Sequence, residues 1–387
     1  MNSGKYVFAQ LVEFLPQRVF DGYVSKYFGN KHVRHFTCWN QLLCMLFGQL
    51  ASRESLRDLV VIIDAHKRKA YHLGFGKNVS KSNFAIANEK RDYKIFEEFA
   101  YHLIGIAQKK LANDNFEIEG KFYAFDSTTI DLCLNVFWWA KFRKNKGAIK
   151  LHVQYDIVTQ IPDFVHITPA LTHDVNAMDV IEYQRDACYI FDRGYVDFAR
   201  LFEISKQEAY FVIRAKSNMN YERMYSNKVD KTKGIRCDQI GKLTGFYIKK
   251  RYPLKIRRIK YYDSESKRMF VYLTNYFELT AQQIVLLYKN RWQIELFFKW
   301  IKQHLKVKTF WGTSENAVHI QIYCAIITYS LIAIVRKDLK IERSTYEILQ
   351  ILGMSLLDKT PVNELFTRID YNDAKELDSN QLKISGF

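Results

Sequence analysis

The sequence predicts an α/β protein in which an N-terminal α-helical domain precedes an α/β core and a β-strand insertion interrupts that core. Three observations carry this. Residues from about 5 to 112 place apolar side chains at three- and four-residue spacing, as in Trp39 to Leu50 and Tyr93 to Ala107, the period of a helix with one buried face. Phe122-Tyr123-Ala124-Phe125 and Cys188-Tyr189-Ile190-Phe191 are near-continuous apolar runs, as expected of strands covered on both faces. Residues 216 to 277 are strand-rich and strongly basic, unlike the segments on either side.

Composition supports a folded chain with a polyanionic partner. The 387 residues, 48% hydrophobic and 15% aromatic with five prolines, can fill a core and lack the polar bias of disordered proteins. Lys and Arg outnumber Asp and Glu by 58 to 41, a net charge of +17. Nucleic acid is the partner this favours, with an anionic membrane surface or simple solubility as alternatives. The six cysteines form no Cys-x-x-Cys pair and no Cys/His spacing suited to zinc, so a reduced, cytoplasmic setting is expected. The longest apolar stretch, Tyr323 to Val335, is too short to cross a bilayer, and no membrane association is expected.

The helical domain is expected over residues 1–118, as a DNA-binding domain. Within it, Val79-Ser80-Lys81-Ser82-Asn83-Phe84 offers an N-cap ahead of a short helix rich in Lys90, Arg91 and Lys94. That pattern suits the second helix of a helix-turn-helix, although any solvated helix face looks similar. The first part of the core, 119–215, opens with a strand from Gly120 that ends in Asp126. Gly147 to Val158 and Phe164 to Pro169 follow as strands, with Thr159-Gln160-Ile161-Pro162-Asp163 as their hairpin connection. A strand ending in Asp192, a helical stretch from Gly194 to Glu208 and a strand from Tyr210 to Ala215 then make a βαβ unit.

The insertion, 216–277, has Lys or Arg at seven of the twelve positions from Lys249 to Lys260, interleaved with Tyr252, Leu254, Ile256 and Ile259. Read as a strand, it would turn Lys249, Lys250, Arg251, Arg257 and Arg258 toward a phosphate backbone or toward solvent. The second part of the core, 278–345, contains a long helix from Thr280 to Lys306 and an apolar helix near 317–336. A C-terminal helix from about 343 to 357 and a polar tail beyond Arg368 complete the chain, the last unit being 346–387.

Asp126 and Asp192 each close an apolar strand, where a carboxylate is costly to bury unless a cation compensates it. Either alone suits a turn or a helix cap equally well. A third carboxylate comes from the helix bearing Tyr288, Arg291, Glu295 and Lys302, which at 100° per residue fall within an arc of roughly 60°. An apolar stripe of Leu287, Ile294, Phe298, Ile301 and Leu305 runs beside them, so the helix can dock on the sheet and aim the polar stripe into a cleft. Arg291 and Glu295, four apart, also suit an ordinary surface ion pair. Three carboxylates so placed would hold two divalent ions about 4 Å apart for phosphoryl displacement, and hard oxygen donors favour Mg2+ or Mn2+ over zinc.

The spacing Tyr288-x-x-Arg291-x-x-x-Glu295-x-x-x-x-x-x-Lys302 resembles the Tyr-Arg-Glu-Lys signature of bacterial insertion-sequence transposases of family four, the branch that includes the transposon-five transposase. Phe125-Asp126-Ser127-Thr128, Lys150-Leu151-His152, Asp192-Arg193-Gly194-Tyr195 and Thr274-Asn275 match further elements in the family's order, over about Gly120 to Val335. The resemblance implies a ribonuclease H-like catalytic core and a DDE transposase with Asp126, Asp192 and Glu295 as catalytic residues binding two Mg2+ ions. It implies cut-and-paste transposition: hydrolysis at the element ends, a hairpin, and strand transfer into target DNA. Tyr288, Arg291 and Lys302 would contact DNA near a flipped base, and Lys150, His152, Arg193 and the basic insertion would approach it. The partners implied are double-stranded DNA, as terminal inverted repeats and target, and a second copy of the chain when two ends are paired. The setting implied is a bacterial cytoplasm, at the nucleoid. A ribonuclease H-like nuclease or resolvase without strand transfer, and a decayed element acting only as a DNA-binding protein, are the alternatives. Trp292, Trp300 and the insertion's tyrosines are candidates to hold the flipped base, although the two tryptophans are expected in the core, and His173-Asp174 could be a polar contact near the site, although Asp174 is expected as a helix cap.

Overall fold

The computed structural model describes residues 4–76, 79–112, 116–132, 137–143, 146–216, 219–304 and 310–367. Leu305, Cys133 and the tail beyond Arg368 lie outside them.

Seven helices come first: α1 Val7–Val12, α2 Gln17–Lys26, α3 Cys38–Leu50, α4 Leu56–Ala65, α5 Lys67–Ala70, α6 Lys81–Lys90 and α7 Lys94–Leu111. Ser80 caps α6 as expected, its hydroxyl accepting from the Asn83 amide at 3.2 Å. Arg91 and Lys94 are not on that helix: Arg91 ends it and is buried, and Lys94 begins α7.

The sheet has ten strands: β1 Lys121–Leu132, β2 Lys141–Arg143, β3 Lys146–Asp156, β4 Ile161–Pro169, β5 Ala187–Phe191, β6 Tyr210–Arg214, β7 Tyr221–Ser226, β8 Ile235–Leu243, β9 Ile256–Asp263 and β10 Arg268–Thr274. Their order is β2-β3-β1-β5-β6-β10-β9-β8-β7, with β4 also paired to β3. β3 and β4 form the expected antiparallel hairpin, with a turn tighter than expected because Ile161 already pairs with Asp156. β1, β5 and β6 are mutually parallel. Helix α8, Phe198–Lys206, crosses between β5 and β6 and completes the βαβ unit. The insertion continues the same sheet, because β10 pairs antiparallel with β6 and β9, β8 and β7 follow outward.

Two sequence expectations change here. β1 does not stop at Asp126 but runs to Leu132, since its antiparallel ladder with β3 outlasts its parallel ladder with β5. The stretch from Lys249 is not a strand: Phe246–Arg251 forms the short helix α9, and pairing resumes only at Ile256.

Alternation along the central strands sorts side chains into two cores. Phe122, Ala124, Cys188, Ile190 and Val212 face one, with the N-terminal helices and the C-terminal helices. Tyr123, Phe125, Tyr189, Phe191, Phe211 and Ile213 face the other, against Leu201 and Ile204 of α8. Burying a side chain such as Phe125 or Phe191 contributes about 1.5–3 kcal/mol each.

The expected helix from Thr280 to Lys306 is two helices, α10 Ala281–Asn290 and α11 Gln293–His304. Between them the backbone tightens to three-residue bonds, with the amides of Arg291 and Trp292 donating to Tyr288 and Lys289 and those of Ile294 and Glu295 donating to Arg291 and Trp292. The apolar spacing continues through this turn, so periodicity does not reveal it. Then come α12 Glu315–Asp338, α13 Thr345–Ser355 and the short α14 Val362–Leu365. α12 is long and apolar enough to cross a membrane, yet 83% of its apolar window is buried inside the protein, where it packs among α3, α6 and α7. The expected boundary near residue 118 is therefore not a break in the packing: helices from both ends of the chain share one apolar core.

Candidate active site

Parity and register bring the two aspartates together. The last parallel pair is Phe125 with Phe191, so Asp126 and Asp192 follow side by side, on strands about 4.8 Å apart. Asp126 shares its parity with Phe122 and Ala124, and Asp192 shares its own with Cys188 and Ile190. Both positions therefore belong to the face that α10 and α11 cover. Those helices dock through buried Leu287, Ile294, Phe298 and Ile301, the apolar stripe expected from the sequence.

Their polar stripe meets the aspartates. One terminal nitrogen of Arg291 donates to Oδ2 of Asp126 at 2.9 Å, and the other donates to Oε1 of Glu295 at 2.5 Å. The Arg291 side chain is only 13% exposed, whereas Glu295 is 57% exposed. Tyr288 donates to Oδ1 of Asp192 at 3.4 Å, and its ring lies 4.6 Å from that of Tyr272. Five residues from three segments of the chain thus form one network, its two halves linked where the Arg291 guanidinium lies 5.9 Å from the centre of the Tyr288 ring. Lys302, two turns beyond Glu295 on α11, is half-buried.

The electrostatics follow from burial. Desolvation pushes the Asp126 carboxyl above the usual aspartate range, and the attraction of Arg291 only partly offsets it. Burial works against the Arg291 charge, but Asp126 and Glu295 outweigh it and hold the guanidinium firmly protonated. Burial, reinforced by Asp192, pushes the Tyr288 phenol up to about 12.

A polar brace stands beside Asp126, and Asp174 enters it as a polar contact rather than as the helix cap expected. Oδ1 of Asp126 accepts from the Ser127 amide at 2.8 Å, and the Ser127 hydroxyl donates to Asp174 at 2.7 Å. Lys150 lies 3.0 Å from the same Asp174 carboxylate and donates to the Thr172 carbonyl at 2.8 Å. Asp174 opens a 3-10 turn without capping it, since the cap position is His173 and no side chain caps there; burial pushes the Asp174 carboxyl up, but Ser127 and Lys150 outweigh it and hold it below the usual aspartate range. No spacing in the sequence links residue 174 to residue 127.

The other expected DNA contacts differ in exposure. Arg193, Lys249, Lys250 and Arg251 are exposed. His152 is fully buried and shares a hydrogen bond with the Thr168 hydroxyl at 2.9 Å. Arg257 is buried in a bidentate pair with Asp238, both contacts at 2.8 Å. Neither His152 nor Arg257 has the surface a phosphate contact needs. Arg258 is half-buried, bonded to Gln239 and lying 4.3 Å from the Tyr221 ring. Trp300 is in the core as expected, but Trp292, at the turn between α10 and α11, is 53% exposed.

Among the described residues no three acidic, His or Cys side chains converge closely enough to enclose a metal as they stand. Arg291 stands between Asp126 and Glu295, a built-in cation where a metal would be needed. The donor set still fits a divalent ion, because the three carboxylates offer only hard oxygen ligands.

Comparison with known proteins gives this geometry its context. The transposase DDE domain family matches residues 118–331, and a domain of unknown function, DUF4372, matches residues 3–76. A putative transposase of Sinorhizobium fredii is 32% identical over 269 residues, 69% of this chain and 73% of that protein. A probable insertion-sequence transposase of Geobacillus stearothermophilus is 32% identical over 219 residues, 54% of each chain. A putative insertion-sequence transposase of Synechocystis is 26% identical over 260 residues, 66% of this chain and 72% of that protein. A synaptic complex of piggyBac transposase with hairpin DNA covers 99% of this chain and 87% of its own at 11% identity and a TM-score of 0.46, too distant a likeness to assign a fold. With the family spanning more than half of the 387 residues and a 32% identical relative covered over 73% of its length, the chain belongs to the DDE-domain transposases, enzymes that act on DNA.

Proposed function

We propose that this transposase moves an insertion sequence by cut-and-paste chemistry, with Asp126, Asp192 and Glu295 as its catalytic carboxylates. The carrying observation is the network in which Arg291 binds Asp126 and Glu295, Tyr288 binds Asp192, and the Arg291 guanidinium lies against the Tyr288 ring. The strand order β4-β3-β1-β5-β6, with β1, β5 and β6 parallel and β3 and β4 antiparallel to their neighbours, supports a ribonuclease H-like core. The spacing of Tyr288, Arg291, Glu295 and Lys302 supports the Tyr-Arg-Glu-Lys branch of insertion-sequence family four.

Asp126, Asp192 and Glu295 would hold two Mg2+ ions, replaceable by Mn2+, whose chemistry is to activate water and to stabilise the entering and leaving oxygens of phosphoryl displacement. The chain's own groups do the rest. Arg291 would exchange its two carboxylate partners for a DNA phosphate, which accepts the same bidentate geometry. Lys302 would add a point charge on the same stripe, and exposed Arg193 would lie beside Asp192. Tyr288 orients Asp192, and the Ser127-Asp174-Lys150 brace holds Asp126. Lys249, Lys250 and Arg251 on α9, with Arg258 nearby in sequence, would track the backbone further out. Exposed Trp292 offers a stacking face for an unpaired base. The reaction would begin with hydrolysis of the phosphodiester at an element end. The freed 3′-hydroxyl would then attack the opposite strand to form a hairpin, and reopened ends would attack target DNA, within a homodimer that pairs two ends at the nucleoid.

The test is to incubate the protein with Mg2+ and duplexes ending in the element's inverted repeats, beside Glu295→Ala. Hairpin and strand-transfer products lost in the variant are expected. Nicking without joining would replace this reading with a nuclease, and binding without cleavage with a DNA-binding protein only.

A further inference from the structure

A cavity of about 550 Å³ beside β4 reverses the sign of this basic chain. It lies between β4, α7, α12 and the segment that follows the 3-10 turn at Asp174–Val180, and it shares no residue with the network at Asp126. Its charged groups are three carboxylates, Glu97, Asp163 and Glu182, with no Lys or Arg among the described lining residues. None of the three forms an ion pair with a described residue, in a protein whose net charge is +17. Desolvation holds the His166 and His319 imidazoles below the usual histidine range, His319 down at about 4, so neither adds positive charge near neutral pH.

The walls are aromatic and fixed. The Tyr101 hydroxyl donates to the Val165 carbonyl at 3.0 Å and accepts from the Val165 amide at 3.2 Å, which pins α7 to β4. The Tyr323 hydroxyl donates to Glu97, and its ring lies parallel to that of Tyr93 with centroids 6.2 Å apart. A buried polar group then lacks its partner. Gln154, only 3% exposed, donates its side-chain nitrogen to Asp163 at 2.7 Å, but its Oε1 has no donor among the described residues. Nδ1 of His319 is also buried without a described partner. A buried amide oxygen left without a donor is costly, and an N–H from a ligand would satisfy it. Ring faces attract ammonium groups and pack methylene groups, whereas no three acidic, His or Cys side chains among the described residues converge closely enough to enclose a metal. Carboxylates, an idle acceptor and tyrosine faces together select an organic cation.

We propose that this cavity binds an aliphatic polyamine, with its ammonium groups against Glu97, Asp163 and Glu182 and its methylene chain along Tyr93, Tyr101 and Tyr323. Three carboxylates from three separate segments exceed what a single ammonium group neutralises, and the volume lies within the range of small-molecule pockets. The bound ligand would tie α7 and α12 to the edge of the sheet. The site goes beyond the transposition chemistry and does not depend on the carboxylates at Asp126, Asp192 and Glu295.

The test is calorimetric titration of the full chain with spermidine, without divalent metal, at about 0.15 M salt, where attraction to scattered surface acids is screened. Saturable binding of a single equivalent is expected. Asp163→Asn/Glu182→Gln should weaken it about tenfold, and Glu182→Gln alone about threefold, the scale of partly exposed ion pairs. Glu182 is exposed and its side chain bonds no described residue, so the single variant reports on the site even if the double variant fails to fold. Tyr93→Leu should weaken binding about threefold through the lost ring face. The matched variant Glu265→Gln/Glu342→Gln, outside the cavity, should bind as the parent does, and triethylene glycol, a neutral chain of similar length, should not bind. Absent spermidine binding, equal loss in both double variants, loss in Glu295→Gln with the cavity variants unaffected, or displacement by equimolar Mg2+ would each overturn the site.

Discussion

Arg291 and Asp126 meet at 2.9 Å although 165 residues separate them, and the same guanidinium reaches on to Glu295. A strand carboxylate and a helix carboxylate are thus bridged by an internal cation. The bridge explains how this concentration of acid is tolerated under a partly buried helix pair without a metal, since uncompensated charge there would be costly.

Arg291 should therefore compete with metal. In Arg291→Ala, DNA-free protein should bind Mn2+ about fivefold more tightly, the scale of a partly exposed ion pair of about 1 kcal/mol, as read by electron paramagnetic resonance titration. DNA cleavage should fall at the same time if, as proposed, Arg291 contacts a DNA phosphate. Unchanged Mn2+ affinity would show that the guanidinium does not guard the site.

The brace beside Asp126 should matter to rate rather than to DNA affinity. Asp174→Ala leaves the Ser127 hydroxyl and Lys150 without their shared acceptor, so Asp126 loses its fixed orientation. Cleavage slowed by about tenfold, with duplex affinity within about twofold, is the expected outcome, on the general scale of an outer partner to a metal-binding carboxylate. A variant that cleaves at the parental rate would remove Asp174 from the account.

Arg257 gives the opposite pattern. It is buried with Asp238, so Arg257→Ala strands a carboxylate and should destabilise the protein by about 3–5 kcal/mol in denaturant titration. Arg257→Leu with Asp238→Leu should recover most of that loss. If Arg257→Ala instead left stability intact and lowered the salt slope of DNA binding, Arg257 would be a phosphate contact after all.

His152 sets an acid limit. Burial holds its imidazole pKa down at about 4, against about 6.5 in the unfolded chain. The neutral ring is favoured in the folded state, so its contribution is complete above about pH 6.5 and is lost as the pH falls toward 4, on the order of 3 kcal/mol. His152→Gln should flatten that part of the stability profile while leaving the portion due to half-buried His319, whose imidazole desolvation likewise holds down at about 4. An identical profile in the variant would contradict the burial argument.

The strands and the acidic pair were legible because their signal is local. Phe122 to Phe125 and Cys188 to Phe191 announce strands covered on both faces, and a parity of two then places Asp126 and Asp192 on one side of the sheet. The stripe of Tyr288, Arg291 and Glu295 was legible for the same reason, although the turn at Arg291 and Trp292 was not: apolar spacing runs through it unchanged, and only Trp292 emerging at the surface records it. The helix at Lys249 to Arg251 was hidden because a run of Lys and Arg suits a helix as well as a strand. The partners of Asp174 and Asp238 were out of reach, since each is brought from another strand.

The central claim is that Asp126, Asp192 and Glu295 act as one unit, and its most direct measurement is the rate of Mg2+-dependent strand nicking at a terminal repeat. Asp126→Asn, Asp192→Asn and Glu295→Gln are each expected to slow nicking by about a thousandfold or more, with DNA affinity kept within about threefold and no further loss when two are combined. Parental nicking by any one of the three would contradict the account.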